Sequence, residues 1–203
     1  PLTRIRARVE LALLRGSGGD SPEEVLAKTL QDLDGQLELI NAMLQLTRAE
    51  SVTSDQFQLF DLESVTRDAY ETFLPVAEDR GIRFSLRNRR SMVRGVRPLV
   101  AQAIANLVEN AIRYTPKGGH MLIELSDEGP FVRVRVADSG PGIPLHLRDK
   151  VKDRFVRLEE SHASGGVGLG LSLVATVARV HRGRLELGDN QPGLIADFFL
   201  PVA

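Results

Sequence analysis

The hydrophobic residues between positions 21 and 50 recur at intervals that fit one face of a helix. Ser21 is followed by Pro22 and Glu24, which predicts a helix start with Ser21 as N-cap and Glu24 completing a capping box. The apolar intervals then alternate between four and three residues, at Leu26, Leu30, Leu33, Leu37, Ile40 and Leu44. This heptad spacing favours the seam of a coiled coil or a helical bundle.

A shorter helical pattern precedes this stripe. Its apolar positions are Leu2, Ile5, Val9 and Ala12, and it ends in the glycine-rich segment 16–20. Two helices joined by a short loop predict an antiparallel helical hairpin over residues 1–50. Because one hairpin buries little apolar surface, we expect two copies to form a dimeric four-helix bundle. The alternative is a bundle helix that packs on the domain behind it.

After residue 50, segments with the hydrophobic spacing of a helix alternate with segments that have the spacing of a strand. Polar residues 51–58 predict a linker, and residues 59–203 predict a domain of mixed helices and strands, so the chain is expected to be α+β. The expected helices are 62–80, 97–114 and 169–181, and the expected strands are 82–86, 121–125, 131–136, 184–187 and 196–200. Residues 139–168 are rich in glycine, serine and charge, which is typical of a functional lid or of disorder.

The amino-acid composition argues against several classes of function and of site. The 26 basic and 27 acidic residues give a net charge of -1, so no basic excess indicates nucleic acid and no basic run indicates a membrane surface. The absence of cysteine excludes disulfides and thiolate metal sites and fits a reducing compartment. No apolar run approaches the roughly 20 residues that span a bilayer. Because the chain opens inside a helical pattern, we expect a fragment that lacks its native N-terminus.

Two asparagines form the first candidate site. Asn106 and Asn110 are four residues apart, so both amides lie on one face of the predicted helix. Amide oxygens facing a cleft suit Mg²⁺, which takes one or two protein oxygens and completes its shell with water and phosphate. Arg113 can pair with phosphate oxygens, and the ring of Tyr114 can pack near a base or ribose. The alternative is a pair of solvated asparagines.

Asp138 and the glycines after it form a second candidate site. Asp138 follows a predicted strand, where a carboxylate can accept a hydrogen bond from an exocyclic amine such as that of adenine. Gly140 and Gly142, which precede Ile143, let the backbone turn tightly beside a ligand. An ordinary turn at the end of a strand has the same composition.

A glycine-rich segment, residues 165–171, opens the last predicted helix. Glycines bring backbone N–H groups close to phosphates, and a helix N-terminus adds partial positive charge. The segment lacks the Lys-Ser/Thr pair of a Walker A loop, and a long loop rather than a strand precedes it, unlike a dinucleotide-binding fingerprint. The alternative is a flexible glycine hinge.

The order and spacing of these three segments resemble the N, G1 and G2 boxes of the histidine kinase catalytic domain. That domain has the GHKL (Bergerat) ATP-binding fold, which gyrase, Hsp90 and MutL share. Residues 154–157, Arg-Phe-Val-Arg, resemble half of the F box, but Lys152 stands where its first Phe is expected. Residues 1–5, Pro-Leu-Thr-Arg-Ile, resemble the end of the H box.

The resemblance implies a role for each matching residue. Asn110 would be the principal Mg²⁺ ligand, Asn106 would support the nucleotide site, and Asp138 would receive the adenine amino group. Arg113 would stand near the phosphates in place of a more usual Lys, and Tyr114 would line the adenine pocket. The remaining expected nucleotide-site residues are Gly140, Gly142, Ile143, Gly166, Val167, Gly168, Leu169 and Gly170, with Arg154 or Arg157 at the γ-phosphate or the lid.

The resemblance also implies a reaction. A sensor histidine kinase moves the γ-phosphoryl group of ATP to its own histidine and then to an aspartate of a response-regulator receiver domain. That acceptor histidine would lie upstream of Pro1, so this chain is expected to bind ATP without phosphorylating itself. His120, His146 and His162 are expected to be solvated, and His181 is expected to cap a helix end at the surface. A cytoplasmic homodimer is expected, with any membrane anchor upstream.

Other functions remain open from the sequence, among them a protein-serine kinase of the same fold, which typically lacks such a hairpin. An ATPase of the same fold would carry a glutamate as general base about where Asn106 stands, and an amide cannot act as that base. A non-catalytic dimerising scaffold would carry a degenerate nucleotide site.

Overall fold

A single long helix leads into the α/β part of the molecule. The structure is a computed structural model that describes residues 21–156 and 168–203. Helix α1 (Pro22–Glu50) begins with the predicted capping box, because Ser21 Oγ accepts from the Glu24 N–H and Glu24 Oε2 accepts from the Ser21 N–H, both at 3.2 Å. The expected first helix of the hairpin and segment 16–20 lie outside the described residues.

Two sheets follow along the chain. Strands β1 (Gln58–Asp61) and β3 (Met92–Gly95) form a small antiparallel sheet. The main sheet has the order β2-β4-β5-β7-β6, in which β2 and β4 are parallel and the other pairs antiparallel. Its strands are β2 (Arg83–Arg87), β4 (His120–Glu128), β5 (Phe131–Asp138), β6 (Arg184–Asp189) and β7 (Leu194–Pro201).

Three helices share a core with the main sheet. They are α2 (Leu62–Asp79), α3 (Arg97–Tyr114) and α4 (Gly170–Val180). Each buries one apolar face, as the helical spacing of its hydrophobic residues predicts. In β5, Val132, Val134 and Val136 point into this core, whereas Arg135 points outward and makes a bidentate ion pair with Asp197 at 2.7 Å. Helix α3 therefore lies over the sheet with α4 beside it.

The end of α1 is part of the same core. Leu46 and Ala49 are buried, and α1 contacts α4. Glu50, the last residue of α1, forms an ion pair with Arg154. Within the described ranges, no helix combines the length and apolar character needed to cross a membrane.

The predicted elements agree with the structure except at two strands. All three helices and all five strands expected after residue 50 are confirmed, with ends shifted by a few residues. The sequence patterns missed β1 and β3, and β1 begins at Gln58, the last residue of the predicted linker. Residues 139–156 contain short 3₁₀ turns at Leu145–Leu147 and Lys150–Lys152.

Candidate functional site

Asn106 and Asn110 face the first residue of helix α4. A Cβ placed on Gly170 would lie 3.3 Å from Asn110 Nδ2 and 3.6 Å from Asn106 Oδ1. Asn106 Nδ2 donates to the Gln102 carbonyl at 2.9 Å, so its oxygen is the atom directed away from its own helix. The missing side chain at position 170 thus lets the start of α4 approach both amides, which the sequence predicted to share a face.

Asp138 ends strand β5 with a buried carboxylate. Its Oδ1 accepts from the backbone N–H of Gly140 at 2.8 Å and of Leu194 at 3.3 Å. Both backbone hydrogen bonds recorded among the described residues use Oδ1, so Oδ2 can accept from a ligand. Burial raises the pKa of Asp138, and the two N–H donors and the charge of His120 oppose this only in part.

The turn after Asp138 rests on the end of helix α3. A Cβ on Gly140 would lie 2.8 Å from the Tyr114 carbonyl oxygen, which leaves no room for a side chain. Gly142 has φ of +72°, and a Cβ there would lie 2.7 Å from the Gly193 carbonyl oxygen. Both glycines are therefore required by close backbone contacts, as well as by the positive φ at Gly142. The Ile143 carbonyl, further along this turn, accepts from Arg148 Nε at 2.9 Å.

The loop between β6 and β7 also belongs to this turn, and the sequence patterns missed it. Asn190 Nδ2 donates to the Asp138 carbonyl at 2.7 Å. Gly193 has φ of +123°, and a Cβ on it would lie 1.7 Å from the same carbonyl oxygen. The only sequence signal was a turn-forming Asn-Gln-Pro-Gly run, which did not indicate that the loop reaches Asp138.

One face of α3 makes both the contacts with Gly170 and the contact with Gly140. Asn106, Asn110 and Tyr114 follow one another at four-residue intervals, so they span about 12 Å along the helix. The asparagine end of this face meets Gly170, and the Tyr114 end meets Gly140 beside Asp138. The side chains of Arg113 and Tyr114 are half-buried in the last turn of the helix. Three distant segments of the sequence thus meet along one helix face.

Among the described residues, no side chain caps the start of helix α4. Its N-cap is Leu169, which is buried and cannot bind the first N–H groups of the helix. Uncapped N–H groups at a helix start carry partial positive charge and favour an anion. Gly168 precedes them with φ of +73°, and its carbonyl accepts from the Phe155 N–H at 3.1 Å. The predicted residues Gly166, Val167 and Arg157 lie outside the described residues.

Arg154 lies on another side of α4. Its guanidinium pairs with Glu50 and lines a cavity of about 170 Å³ with residues of α4 that include Thr176 and Arg179. Lys152, which replaces the expected Phe, pairs with Asp149 at 2.6 Å. The structure therefore joins Arg154 to helix α1 and does not bring it to the asparagines.

A metal ion at this site would have side-chain amide oxygens as its protein ligands. In the described part of the chain, no cluster of three or more His, Cys, Asp or Glu residues could hold a metal ion. The amides of Asn106 and Asn110 beside the backbone of Gly170 fit Mg²⁺, which takes few protein oxygens and completes its shell with phosphate and water.

The prediction for His181 is confirmed in one part and wrong in another, because the residue is the C-cap of α4 but does not lie at the surface. This residue was expected to cap a helix end at the surface, but it is only 3% exposed. Its Nδ1 lies 2.8 Å from the Val177 carbonyl oxygen, and its Nε2 accepts from the Val96 N–H at 2.9 Å. The exposure expected of His120 and His146 is confirmed, whereas His162 lies outside the described residues.

Comparison with known proteins assigns this arrangement to a family. The family described as "Histidine kinase-, DNA gyrase B-, and HSP90-like ATPase" matches residues 95–203, just over half of the chain. The chain belongs to this family. The matched range contains α3, the turn at Asp138 and helix α4, so the expected ATP-binding α/β fold is confirmed and an ATP site is implied.

Sensor kinases are among the relatives. The sensor protein kinase PmrB of Pseudomonas aeruginosa is 29% identical over 99% of this chain and 43% of its own length. The sensor protein BasS of Salmonella typhimurium is 33% identical over 94% of this chain and 52% of its own length. The chain thus spans about half the length of these relatives.

Solved structures match as well. The catalytic domain of the histidine kinase ThkA superposes with a TM-score of 0.65 at 30% identity and covers 72% of this chain and 97% of that domain. ThkA in complex with the response regulator protein TrrA superposes with a TM-score of 0.72 over all of this chain and 60% of that chain. At 23% identity this second likeness shows the fold alone.

Proposed function

We propose that this chain is the catalytic portion of a two-component sensor histidine kinase. In the whole protein it would transfer the γ-phosphoryl group of ATP to a histidine outside this sequence, and from there to an aspartate of a response-regulator receiver domain. The observation that carries the proposal is the meeting of Gly170 with Asn106 and Asn110, on the helix whose far end meets Gly140 beside Asp138.

Each side chain then has a role that its environment supports. Oδ2 of Asp138 accepts a hydrogen bond from the adenine amino group, while Oδ1 stays bound to two backbone N–H groups. Asn110, supported by Asn106, would hold Mg²⁺, and the ion would supply positive charge next to the phosphates. The uncapped start of α4 and Arg113 bind phosphate oxygens, and Tyr114 lines the base pocket. The resemblance further implies that Gly166, Gly168 and Gly170 would let a lid close over the phosphates.

An ATPase of the same family is the competing function. Such an enzyme needs a general base to activate water, and Asn106 has no proton affinity suited to that role. The sensor-kinase relatives span both α1 and the catalytic part of this chain, which favours the kinase. A dimerising scaffold without activity would keep the helices but would not need the close contact between Gly170 and the two amides.

The partners follow from the same proposal. The apolar stripe of α1 supports a homodimer, since most of its side chains are more than half exposed. Residues 1–50 are the proposed dimerisation hairpin, 51–58 the hinge and 59–203 the catalytic domain. ThkA was solved with a response regulator, and a receiver domain is the partner proposed here. The protein is proposed to act in the cytoplasm, and any membrane anchor would belong to other segments of the whole protein.

Calorimetry with ATP, in the presence and absence of Mg²⁺, tests the site. We expect Mg²⁺-dependent binding that Asn110→Ala weakens by about tenfold or more, the loss expected for one ligand of a bound charge. Asn41→Ala, an exposed asparagine on α1, is the matched control and should bind as the wild type. Equal affinities of the two variants would refute the site.

A labelling experiment tests the reaction. Incubated with labelled ATP, residues 1–203 alone should form no acid-labile phosphohistidine, whereas a longer chain that includes the upstream segment should form one. Label on the isolated chain would refute the upstream acceptor, and hydrolysis without label on the longer chain would favour the ATPase.

A further inference from the structure

His181 uses both ring nitrogens inside the core. Nδ1 donates to the Val177 carbonyl at the end of α4, so Nε2 is the unprotonated nitrogen that accepts from the Val96 N–H. Burial lowers the pKa of His181, and its hydrogen bond to Val177 offsets this only in part, which agrees with a neutral ring. One tautomer therefore bridges two segments that are far apart in sequence.

The Nε2 contact replaces a local helix cap. Val96 is the N-cap of α3, and its own side chain makes no capping hydrogen bond. In a capping box, a residue three positions into the helix would bind the N-cap N–H. Here His181 binds it from 85 residues further along the chain. The start of α3, the helix that carries Asn106 and Asn110, is thus fixed by the end of α4.

Gly95 and Phe57 enclose the same ring. A Cβ on Gly95 would lie 2.4 Å from His181 Cδ2, so a side chain there would displace the ring. The Phe57 ring lies 5.0 Å from the imidazole, tilted by 44°. Phe57 belongs to the segment between α1 and β1, directly after the turn Ser54–Gln56. The imidazole accordingly contacts that segment as well as the ends of both site helices.

We propose that His181 is a positioning residue that sets α3 against α4 and couples their arrangement to the segment following α1 through Phe57. This inference rests on the proposed nucleotide site. When the connecting segment moves, Phe57 shifts the imidazole, which changes how closely Gly170 approaches Asn106 and Asn110. The site itself lies at the opposite end of α4 from His181, so the effect is transmitted through rigid helices.

Two substitutions separate positioning from packing. His181→Phe keeps a ring against Phe57 and Gly95 but removes both hydrogen bonds, whereas His181→Gln keeps an amide oxygen that can accept from Val96. We expect His181→Phe to weaken Mg²⁺-ATP binding by about tenfold and His181→Gln to restore most of the affinity, measured well below the melting temperatures of both variants. A lower melting temperature of His181→Phe with unchanged affinity would show a purely structural role and overturn the proposal.

A double-mutant cycle tests the coupling. Phe57→Ala should alter Mg²⁺-ATP affinity in the wild-type background and have no further effect in the His181→Phe background, because the bridge is already lost. Additive effects of the two changes would overturn the coupling.

Hydrogen exchange, measured in the absence of nucleotide, tests the hydrogen bond between Val96 and His181. His181→Phe should reduce protection of the Val96 amide, and His181→Gln should preserve it. Failure of the wild type to bind ATP would refute the proposed function, whereas unchanged exchange at Val96 would refute the positioning role.

Discussion

At the scale of single residues, the proposed ligand site at Asp138 has a cost in stability. Its carboxylate is buried, and burial raises its pKa because the charged form loses solvation that two N–H groups replace only in part. A group with a raised folded-state pKa stabilises the fold most below its unfolded pKa, and that contribution is lost as pH rises through the folded pKa. Above its folded-state pKa, the ionised Asp138 therefore stabilises the fold less than its protonated form does.

Asp138→Asn should separate stability from binding. The Asn oxygen can still accept from Gly140 and Leu194, but its amide nitrogen would present a donor to the adenine amino group, which is also a donor. We expect the melting temperature at pH 7 to stay equal or rise, and ATP affinity to fall by about 100-fold. Calorimetry and thermal denaturation measure the two effects. Retained ATP affinity would remove Asp138 from the proposed site.

The buried imidazole of His181 predicts a pH dependence of stability that is opposite in sign to that of Asp138. Its folded-state pKa is lowered, so its contribution to stability is present above the unfolded value of about 6.5 and is lost as pH falls below it. Between pH 7.5 and 5.5, the wild-type free energy of unfolding should fall more steeply than that of His181→Gln. The difference is limited to about 1.4 kcal/mol per pH unit for one proton. Denaturant titrations at several pH values measure it, and parallel slopes would contradict it.

At the scale of elements, the sequence patterns predicted the helices and strands that have a clear local period of hydrophobic residues. Helix 97–114 was predicted at the residues where it occurs, because its pattern ends before Pro116 and the glycines Gly118 and Gly119. Strands β1 and β3 were missed because each has only four residues, too few for a clear alternation of apolar and polar positions. The contacts of Gly193 with Asp138 and of His181 with Val96 were missed for another reason, since each joins segments more than 50 residues apart.

Helix α4 offers a test of the contact that carries the proposed function. Gly170→Ala adds a Cβ at 3.3 Å from Asn110 Nδ2 while favouring the helix, since alanine has about 1 kcal/mol better helix propensity than glycine. We expect weaker Mg²⁺-ATP binding without loss of thermal stability. Gly35→Ala is the matched control, because a Cβ at that helical position contacts nothing within 4 Å. It should raise stability and leave binding unchanged, and equal ATP affinities of both variants would contradict the contact.

At the scale of the whole molecule, α1 has two apolar surfaces with different environments. Leu46 and Ala49 near its end are buried in the core beside α4, and Glu50 is paired with Arg154. The heptad stripe further up the helix, from Leu26 to Leu44, is exposed in the described chain, with Leu30 and Leu37 each more than half exposed. Because the heptad period is that of a helical bundle and a contiguous exposed apolar face is unfavourable in water, this surface is suited to a second copy.

Charge placed in the heptad stripe should therefore dissociate a dimer and leave the nucleotide site intact. A variant with Leu30→Glu and Leu37→Glu replaces two leucines per chain that the proposed dimer would bury and brings like charges together, which should weaken dimerisation by more than about 100-fold. Sedimentation measures the assembly, and calorimetry should show unchanged ATP affinity, because the stripe lies on α1 away from α3. Asn41→Glu adds a charge at an already exposed polar position and should remain dimeric. A wild-type chain that stays monomeric at high concentration would contradict self-association, and weaker ATP binding by the double variant would show that α1 supports the catalytic domain instead.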